Sequence, residues 1–335
     1  MGAQKYIKEA LYAILLRSTL FFYKKHPIKM SLIVVGTIAF DSIKTPAGSA
    51  DRVVGGAASY IALAASHFVK SQEVISVIGE DFPEDFLNKL RDKGVGTEGL
   101  KLVEGGKSFF WEGAYHDDLI GRDTLVTELN VLEGWEPKVP ENAQNTEFIM
   151  LGNLDPTVQS SVLDQCSNSK LVVLDTMNFW MDIALDNLKT VISRVNVLMI
   201  NDDEARQLSG EESPTLAAKK IHQMGPETVV IKKGEHGALM FEGGKKFFTP
   251  AFPLDGVVDP TGAGDTFAGG FTGLLASLND TSWESKKKAI VAGAVLASFT
   301  CEEFGTKRLE ELTIEEWKAR AEELQEMSRV GSLFS

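Results

Sequence analysis

Residues 257–271 read VVDPTGAGDTFAGGF, a stretch that combines a glycine-rich turn with a carboxylate. Gly262 and Gly264 flank Ala263, and a run of small residues compatible with a helix follows at once. Successive backbone N–H groups of such a turn can point at one spot, and the N-terminus of the helix adds positive potential there. Gly262, Ala263 and Gly264 are therefore predicted to bind an anion.

Asp265 comes directly after this turn. A carboxylate repels an anion that is bound beside it, so Asp265 is costly at this position if its role is only structural. A role as proton acceptor for an attacking hydroxyl explains the residue better. The residues alone leave a second reading open, an N-terminal helix cap, because Asp is favoured at that position. Asp265 is the candidate general base of the chain.

The elements that must position this turn are short β-branched runs that alternate with helix-like segments from Met30 onward. Six runs predict buried strands, at residues 32–36, 74–79, 147–152, 171–175, 195–201 and 228–232. Helices are predicted at residues 264–278, 283–303 and 314–327. The alternation predicts an α/β fold with a mostly parallel central sheet flanked by helices on both faces.

Two segments break the alternation, at residues 40–54 and 101–132. In the second, Phe109, Trp111 and Tyr115 occupy odd positions and would share one face of a strand. We expect both segments to form a small β-lid over the site, inserted into one main domain of residues 30–330. The alternative is a surface hairpin whose aromatic side chains pack on the main body.

Composition excludes several classes of protein. The chain has 335 residues, a hydrophobic content of 44% and a formal net charge of −13, which suits a large acidic α/β domain. An acidic surface argues against nucleic-acid and membrane partners. The five histidines and two cysteines show no zinc-ligand spacing, and we expect reduced thiols and a cytoplasmic location. Residues 1–29 are expected to be a mis-set start or a peripheral helix, because Met30 opens the first strand-like run directly and the earlier apolar run is too short to span a membrane.

Residues 257–271 closely resemble the C-terminal signature of the ribokinase family, also called the PfkB carbohydrate kinase family, and the resemblance extends over about residues 30–309. It implies an ATP- and Mg²⁺-dependent kinase that phosphorylates a sugar or sugar derivative, with the turn stabilising the phosphoryl charge and Asp265 deprotonating the acceptor hydroxyl. A nucleoside kinase of the same fold is the alternative.

A catalytically silent, metabolite-binding relative would be expected to lack Asp265 or the glycine-rich turn, and both are intact. A dehydrogenase would need GxGxxG after the first strand, where Gly36 stands alone.

On the acceptor side, the resemblance implies that Asp41 accepts hydrogen bonds from sugar hydroxyls and that Gly55 and Gly56 let the backbone approach the substrate. Where the family commonly has Asn, this chain has Tyr60, a larger side chain with a single hydroxyl, so the substrate pocket should be reshaped. Trp111 is expected to stack on a sugar or a nucleobase, with packing on the lid itself as the alternative.

On the nucleotide side, the resemblance implies a set of binding residues in the order expected for the family: Asn201, Glu204, Lys232, Gly234, Gly237, Thr261 and Gly305. Asn201 and Glu204 match an Asn-x-x-Glu motif that organises the hydration shell of Mg²⁺. Asp259 and Thr261 align with positions that bind a monovalent cation in ribokinase, so K⁺ is a further candidate. A homodimer through the lid is expected by the same resemblance.

Overall fold

A computed structural model describes residues 30–119 and 121–330, and the expectation for residues 1–29 lies outside that range. The strands are β1 (Leu32–Val35), β2 (Ala39–Thr45), β3 (Gly48–Gly55), β4 (Gln72–Gly79), β5 (Val95–Gly96), β6 (Leu100–Val103), β7 (Phe109–Tyr115), β8 (Arg122–Glu128), β9 (Phe148–Leu151), β10 (Leu171–Asp175), β11 (Val197–Asn201), β12 (Thr228–Lys232), β13 (Ala238–Glu242) and β14 (Lys245–Thr249). The α-helices are α1 (Ala57–Ala65), α2 (Glu84–Asp92), α3 (Pro156–Gln165), α4 (Asn178–Ile183), α5 (Leu185–Ile192), α6 (Asp202–Ser209), α7 (Pro214–His222), α8 (Ala263–Leu278), α9 (Trp283–Thr300), α10 (Lys307–Glu311) and α11 (Ile314–Met327).

The main sheet has the strand order β14-β13-β12-β11-β10-β9-β1-β4-β5, and β6 also pairs with β4. The strands from β5 to β12 in this order run parallel, whereas β13 and β14 continue the sheet antiparallel. The carboxyl ends of the parallel strands therefore meet at one edge, where ligands bind in open α/β sheets.

Two hydrophobic cores cover the two faces of this sheet, because alternate residues of each strand point to opposite sides. In β1, Leu32 and Val34 pack with α1, α8 and α9, whereas Ile33 and Val35 pack with α3, α5, α6 and α7. The predicted fold class, a mostly parallel sheet with helices on both faces, is confirmed. No helix in the described part of the chain has the length and apolar content that crossing a bilayer requires.

The lid is a separate four-stranded sheet with the order β3-β2-β7-β8. Strand β2 runs parallel to β7 and places Asp41 beside Trp111, so the two side chains share a face of the lid. The predicted second lid segment began too early, because Leu100–Val103 pairs with β4 in the main sheet. Hydrophobic alternation alone does not distinguish a lid strand from one that extends the main sheet.

Helix α9 ends at Thr300, three residues before its predicted end. The chain turns there because the Cys301 carbonyl accepts hydrogen bonds from the N–H groups of Val258 (2.8 Å) and Asp259 (3.4 Å). This contact ties the end of α9 to the loop that leads into the predicted anion-binding turn.

Candidate active site

The turn predicted to bind an anion caps the N-terminus of α8. Gly262 is the N-cap and has a φ of 77°, a left-handed conformation that favours glycine. A side chain at this position would also collide with the ring of Tyr60, which lies 2.4 Å from where a Cβ would stand. The Ala263 N–H donates to the Pro260 carbonyl (3.2 Å), while the N–H groups of Gly262 and Gly264 have no acceptor among the described residues. Those two donors are available to an anion.

Asp265 lies in the first turn of α8, beside these donors. Burial raises the pKa of its carboxyl to about 7, and the negative charge of Asp175 adds to the rise, while Lys232 and Arg122 oppose it. The carboxyl is therefore half-ionised near neutral pH, where a general base exchanges protons most effectively.

Asp41 projects from the lid strand β2 into the same site and is 5% exposed. Its carboxylate occupies the space above Gly55, where a Cβ would lie 1.8 Å from an Asp41 oxygen, and it accepts a hydrogen bond from the Gly56 N–H. Burial, together with the negative charges of Asp259 and Asp265, raises the pKa of Asp41 to about 7 against the lowering effects of the Gly56 N–H and Arg122. Gly55 thus makes room for Asp41 itself, whereas a Cβ on Gly56 would lie 2.5 Å from the Thr37 carbonyl oxygen.

Tyr60 lies in α1 and is 1% exposed. Its ring packs under Gly262, and its buried hydroxyl has no hydrogen-bond partner among the described residues. Burial, followed by the charge of Asp41, raises the pKa of this phenol well above its ordinary value, so it stays protonated. Tyr60 therefore supports the turn from below and keeps one unused hydrogen-bond donor.

Asn201 and Glu204 form a capping box at the start of α6, where each side chain accepts the other residue's backbone N–H at 2.7 and 2.8 Å. Burial raises the pKa of Glu204 to about 7, against the lowering effect of Lys232. The two residues therefore also cap helix α6. The second Glu204 oxygen has no hydrogen-bond donor among the residues that the structure describes.

Lys232 ends β12 and pairs with Asp175, which ends β10, at 2.5 Å between Nζ and Oδ2. The Lys232 ammonium lies 3.0 Å from where a Cβ on Gly264 would stand, so it faces the anion-binding turn. Asp175 was not among the predicted site residues. The signal available in the sequence was its place at the end of a predicted strand, at the same sheet edge as Asn201 and Lys232.

The lid contacts the turn through Tyr115, whose hydroxyl accepts a hydrogen bond from Thr261 Oγ1 at 3.0 Å. Arg122 pairs with Tyr115 across the lid strands, and its guanidinium lies 5.8 Å from the Trp111 ring. The Trp111 ring itself lies over Gly113, with its Nε1 3.3 Å from Thr124 Oγ1. Arg122 is a site residue that the sequence did not reveal, because its position depends on the register between β7 and β8.

Asp259 is fully buried next to Thr261. Its carboxylate accepts hydrogen bonds from the N–H groups of Thr261 (2.8 Å) and Gly305 (3.4 Å), and burial raises its pKa. Gly305 also packs against the lid residues Val53 and Val54. The structure therefore brings Asp259, Thr261 and Gly305 together.

Gly234 and Gly237 lie in the turn after β12. Gly234 has open space where a side chain would stand, whereas Gly237 lies against the Thr249 carbonyl, 2.0 Å from the position of a Cβ. Gly237 therefore has a packing reason of its own, and a nucleotide contact at either residue stays a prediction.

The site has an excess of negative charge. Its carboxylates are Asp41, Asp175, Glu204, Asp259 and Asp265, and the cations that lower their pKa values are Lys232 and Arg122. No cluster of three or more metal-ligating side chains occurs among the described residues. A divalent cation held by phosphates, water and an uncommitted Glu204 oxygen fits this arrangement, because Mg²⁺ keeps several waters and needs few protein ligands.

Comparisons with known proteins agree with this geometry. Residues 28–312 match the family described as pfkB family carbohydrate kinase. The cytidine kinase of Thermococcus kodakarensis is 30% identical over 247 residues, which cover 72% of this chain and 87% of that protein. The nucleoside kinase of Methanocaldococcus jannaschii has a TM-score of 0.70 at 21% identity, with 89% of this chain and 100% of that one covered. A putative ribokinase II from E. coli in complex with ATP and Mg²⁺ has a TM-score of 0.71 at 18% identity, with 88% and 99% covered.

Proposed function

The chain belongs to the pfkB family of carbohydrate kinases, and we propose that Asp265 is the general base with which it transfers the γ-phosphoryl group of ATP to a sugar hydroxyl. The observation that supports this role most directly is the position of Asp265. It lies beside the two free N–H donors of Gly262 and Gly264, and burial raises its pKa to about 7. A base and an anion site at one helix terminus are what transfer to a hydroxyl requires.

In the proposed reaction, Asp41 orients the acceptor and Asp265 receives its proton. The acceptor oxygen forms a bond to the γ-phosphorus while the bond from that phosphorus to the β–γ bridging oxygen breaks. The hydroxyl proton passes to an Asp265 carboxylate oxygen, and ADP leaves with the bridging oxygen and its electron pair. The turn at Gly262–Gly264 stabilises the charge on the equatorial oxygens, which is the main task of a protein in phosphoryl transfer.

Mg²⁺ would be held by the ATP phosphates and, through water, by Asn201 and Glu204, and it would neutralise charge on the phosphates. The buried Asp259, which has no cation partner in the part of the chain that the structure describes, suits a monovalent cation such as K⁺. These cation sites, a cytoplasmic location and a homodimer through the lid are proposals that extend the family assignment.

A nucleoside is the second candidate acceptor. Two observations favour it: the cytidine kinase relative, and the aromatic side chains Trp111 and Tyr115 on the face of the lid that Asp41 also occupies. Aromatic rings stack on a base as readily as on a sugar face. A sugar and a nucleoside both present a sugar hydroxyl to Asp265, so the proposed chemistry is the same for either.

The function is tested by ADP release from Mg-ATP with a panel of sugars, sugar acids, sugar phosphates and nucleosides. We expect turnover with one class of acceptor, and a loss of about 100-fold or more in the Asp265→Asn variant. Turnover that survives this substitution would remove Asp265 from its role. Binding of Mg-ATP without turnover on any acceptor would favour a metabolite-binding relative.

A further inference from the structure

A buried ion pair lies against the anion-binding turn. Lys232 Nζ and Asp175 Oδ2 are 2.5 Å apart, and the two side chains are only 16% and 6% exposed. They end two strands, β12 and β10, that are separated by β11 in the sheet. Burying two charges is costly unless they are well paired and have a further use, so this pair calls for an explanation beyond stability.

The Lys232 ammonium has hydrogen-bond capacity left over. It carries three N–H donors, and Asp175 accepts one of them. Among the described residues no second acceptor is bonded to Nζ. Because Nζ lies 3.0 Å from the Cβ position of Gly264, the remaining donors are at the mouth of the turn, where the N–H groups of Gly262 and Gly264 have no acceptor among the described residues.

The ammonium also stays charged in this buried place. Burial alone would lower the pKa of Lys232, but the negative charges of Asp175 and Glu204 outweigh burial and raise it. A charged, incompletely bonded ammonium beside two free backbone N–H groups forms one positive concavity with them, which fits a phosphoryl group.

We infer that Lys232 binds the transferred phosphoryl group and that Asp175 is a positioning residue that restrains the ammonium beside Gly264. The inference rests on the proposed function, since it assigns this turn to the γ-phosphoryl group. A phosphoryl group in the turn accepts the donors that Asp175 leaves free, so Lys232 bonds to both. Asp175 touches no substrate and acts through Lys232.

Binding measurements test Lys232 without knowledge of the acceptor. The Kd values for Mg-ADP and Mg-AMP-PNP are measured by calorimetry. The ratio of the first Kd to the second reports how much the γ-phosphoryl group contributes to binding affinity. We expect Lys232→Met to reduce this ratio by about 10-fold or more, the scale of a lost charge-assisted contact, with little change in the Kd for Mg-ADP. An unchanged ratio would overturn the role of Lys232, whether or not the wild type turns over any acceptor.

Kinetics and a double-mutant cycle test Asp175. Asp175→Asn removes a negative charge near the phosphates, so the KM for ATP should not rise. The loosened ammonium should lower kcat by about 10-fold, within the range of direct pairwise coupling. Because Asp175 acts through Lys232, adding Asp175→Asn to Lys232→Met should cause no further loss in kcat or in the Kd ratio. Multiplicative losses, or a single variant with normal kcat, would overturn the inference.

A matched buried ion pair controls for destabilisation. Lys286 and Glu242 are also 2.5 Å apart, with side chains 3% and 12% exposed, and they belong to α9 and β13 away from the turn. Glu242→Gln should destabilise the fold as Asp175→Asn does, by thermal unfolding, and leave kcat and the Kd ratio unchanged. If Glu242→Gln lowers kcat as much as Asp175→Asn, the effect is structural and the positioning role is wrong. If Asp175→Asn does not fold, Lys232→Met and Lys232→Arg decide, since Arg should restore part of the Kd ratio.

Discussion

The pH dependence of kcat/KM should show two carboxyl groups that must both lose a proton. Burial raises the pKa values of Asp41 and Asp265 to about 7 each. In the proposed mechanism both act in the ionised form, Asp41 as a hydrogen-bond acceptor and Asp265 as a base. A carboxyl with a raised pKa is protonated below that value, so activity is lost as the pH falls through 7 and is retained above it.

The size of the loss follows from these two values. At pH 6 a group with a pKa of about 7 is ionised in about one molecule in 11, and two such groups are both ionised in about one in 120. At pH 8 both are ionised in about five molecules of six. We therefore expect kcat/KM to fall by about 100-fold from pH 8 to pH 6, with a limiting slope of two in a logarithmic plot, whereas one group would give about 10-fold.

The assay is ADP release at acceptor concentrations well below KM, from pH 5.5 to 8.5, with the folded state verified by circular dichroism at each pH. Asp41→Asn serves as the matched variant, since it should lower activity and reduce the limiting slope to one. A wild-type slope of one, or a profile that is flat down to pH 5.5, would refute the assignment of two ionised carboxylates with raised pKa values.

Three further predictions concern single side chains. Because folding raises the pKa of Asp265, its charged carboxylate opposes folding most strongly above pH 7, and this penalty decreases as the pH falls. By calorimetry, Asp265→Asn should therefore raise the Tm by about 2–4 °C at pH 8 and by less at pH 5.5. An equal rise in Tm at the two pH values would contradict this. Trp111→Ala should raise the KM for the acceptor by about 2- to 10-fold if the Trp111 ring stacks on the acceptor. Leu125→Ala, on the exposed part of the lid, should leave this KM unchanged. An unchanged KM in Trp111→Ala would favour packing of the ring on the lid. Arg122→Ala should move the acid limb of the kcat/KM profile to higher pH, because Arg122 lowers the pKa values of Asp41 and Asp265. Lys44→Ala, in the same lid sheet, should leave the acid limb at the same pH.

The sequence was sufficient to predict the turn before Asp265 and six parallel strands of the main sheet (β1, β4, β9, β10, β11 and β12), but not β5, β6, β13 and β14. Strands β10 and β12 end at the predicted residues, Asp175 and Lys232, because β-branched runs bounded by polar residues leave little freedom in where a buried strand stops. The turn before Asp265 was recognisable because its glycines, its carboxylate and the helix that follows are contiguous in the chain. The sequence alone therefore predicts structural features that are formed by residues adjacent in the chain.

Features made by distant segments could not be predicted in the same way. Arg122 reaches the site because it pairs with Tyr115, and that register depends on the irregularity between Glu112 and Gly113 in the pairing of β7 with β8. Asp175 belongs to no motif, and its partner Lys232 is 57 residues away. Tyr60 was assigned to the substrate pocket by position in a motif, while its burial under Gly262 depends on the packing of α1 against α8.

Two hydrogen bonds join the lid to the loop at residues 258–261, which leads into the turn before Asp265. Thr45 Oγ1 at the end of β2 donates to the Val258 carbonyl at 2.8 Å, and Tyr115 accepts from Thr261. Under the proposed function, a lid that closes on the acceptor would therefore also fix the loop beside the bound nucleotide. By linkage, each substrate should increase the affinity for the other by the same factor, so the two substrates bind cooperatively and neither product is held as firmly once the other has left.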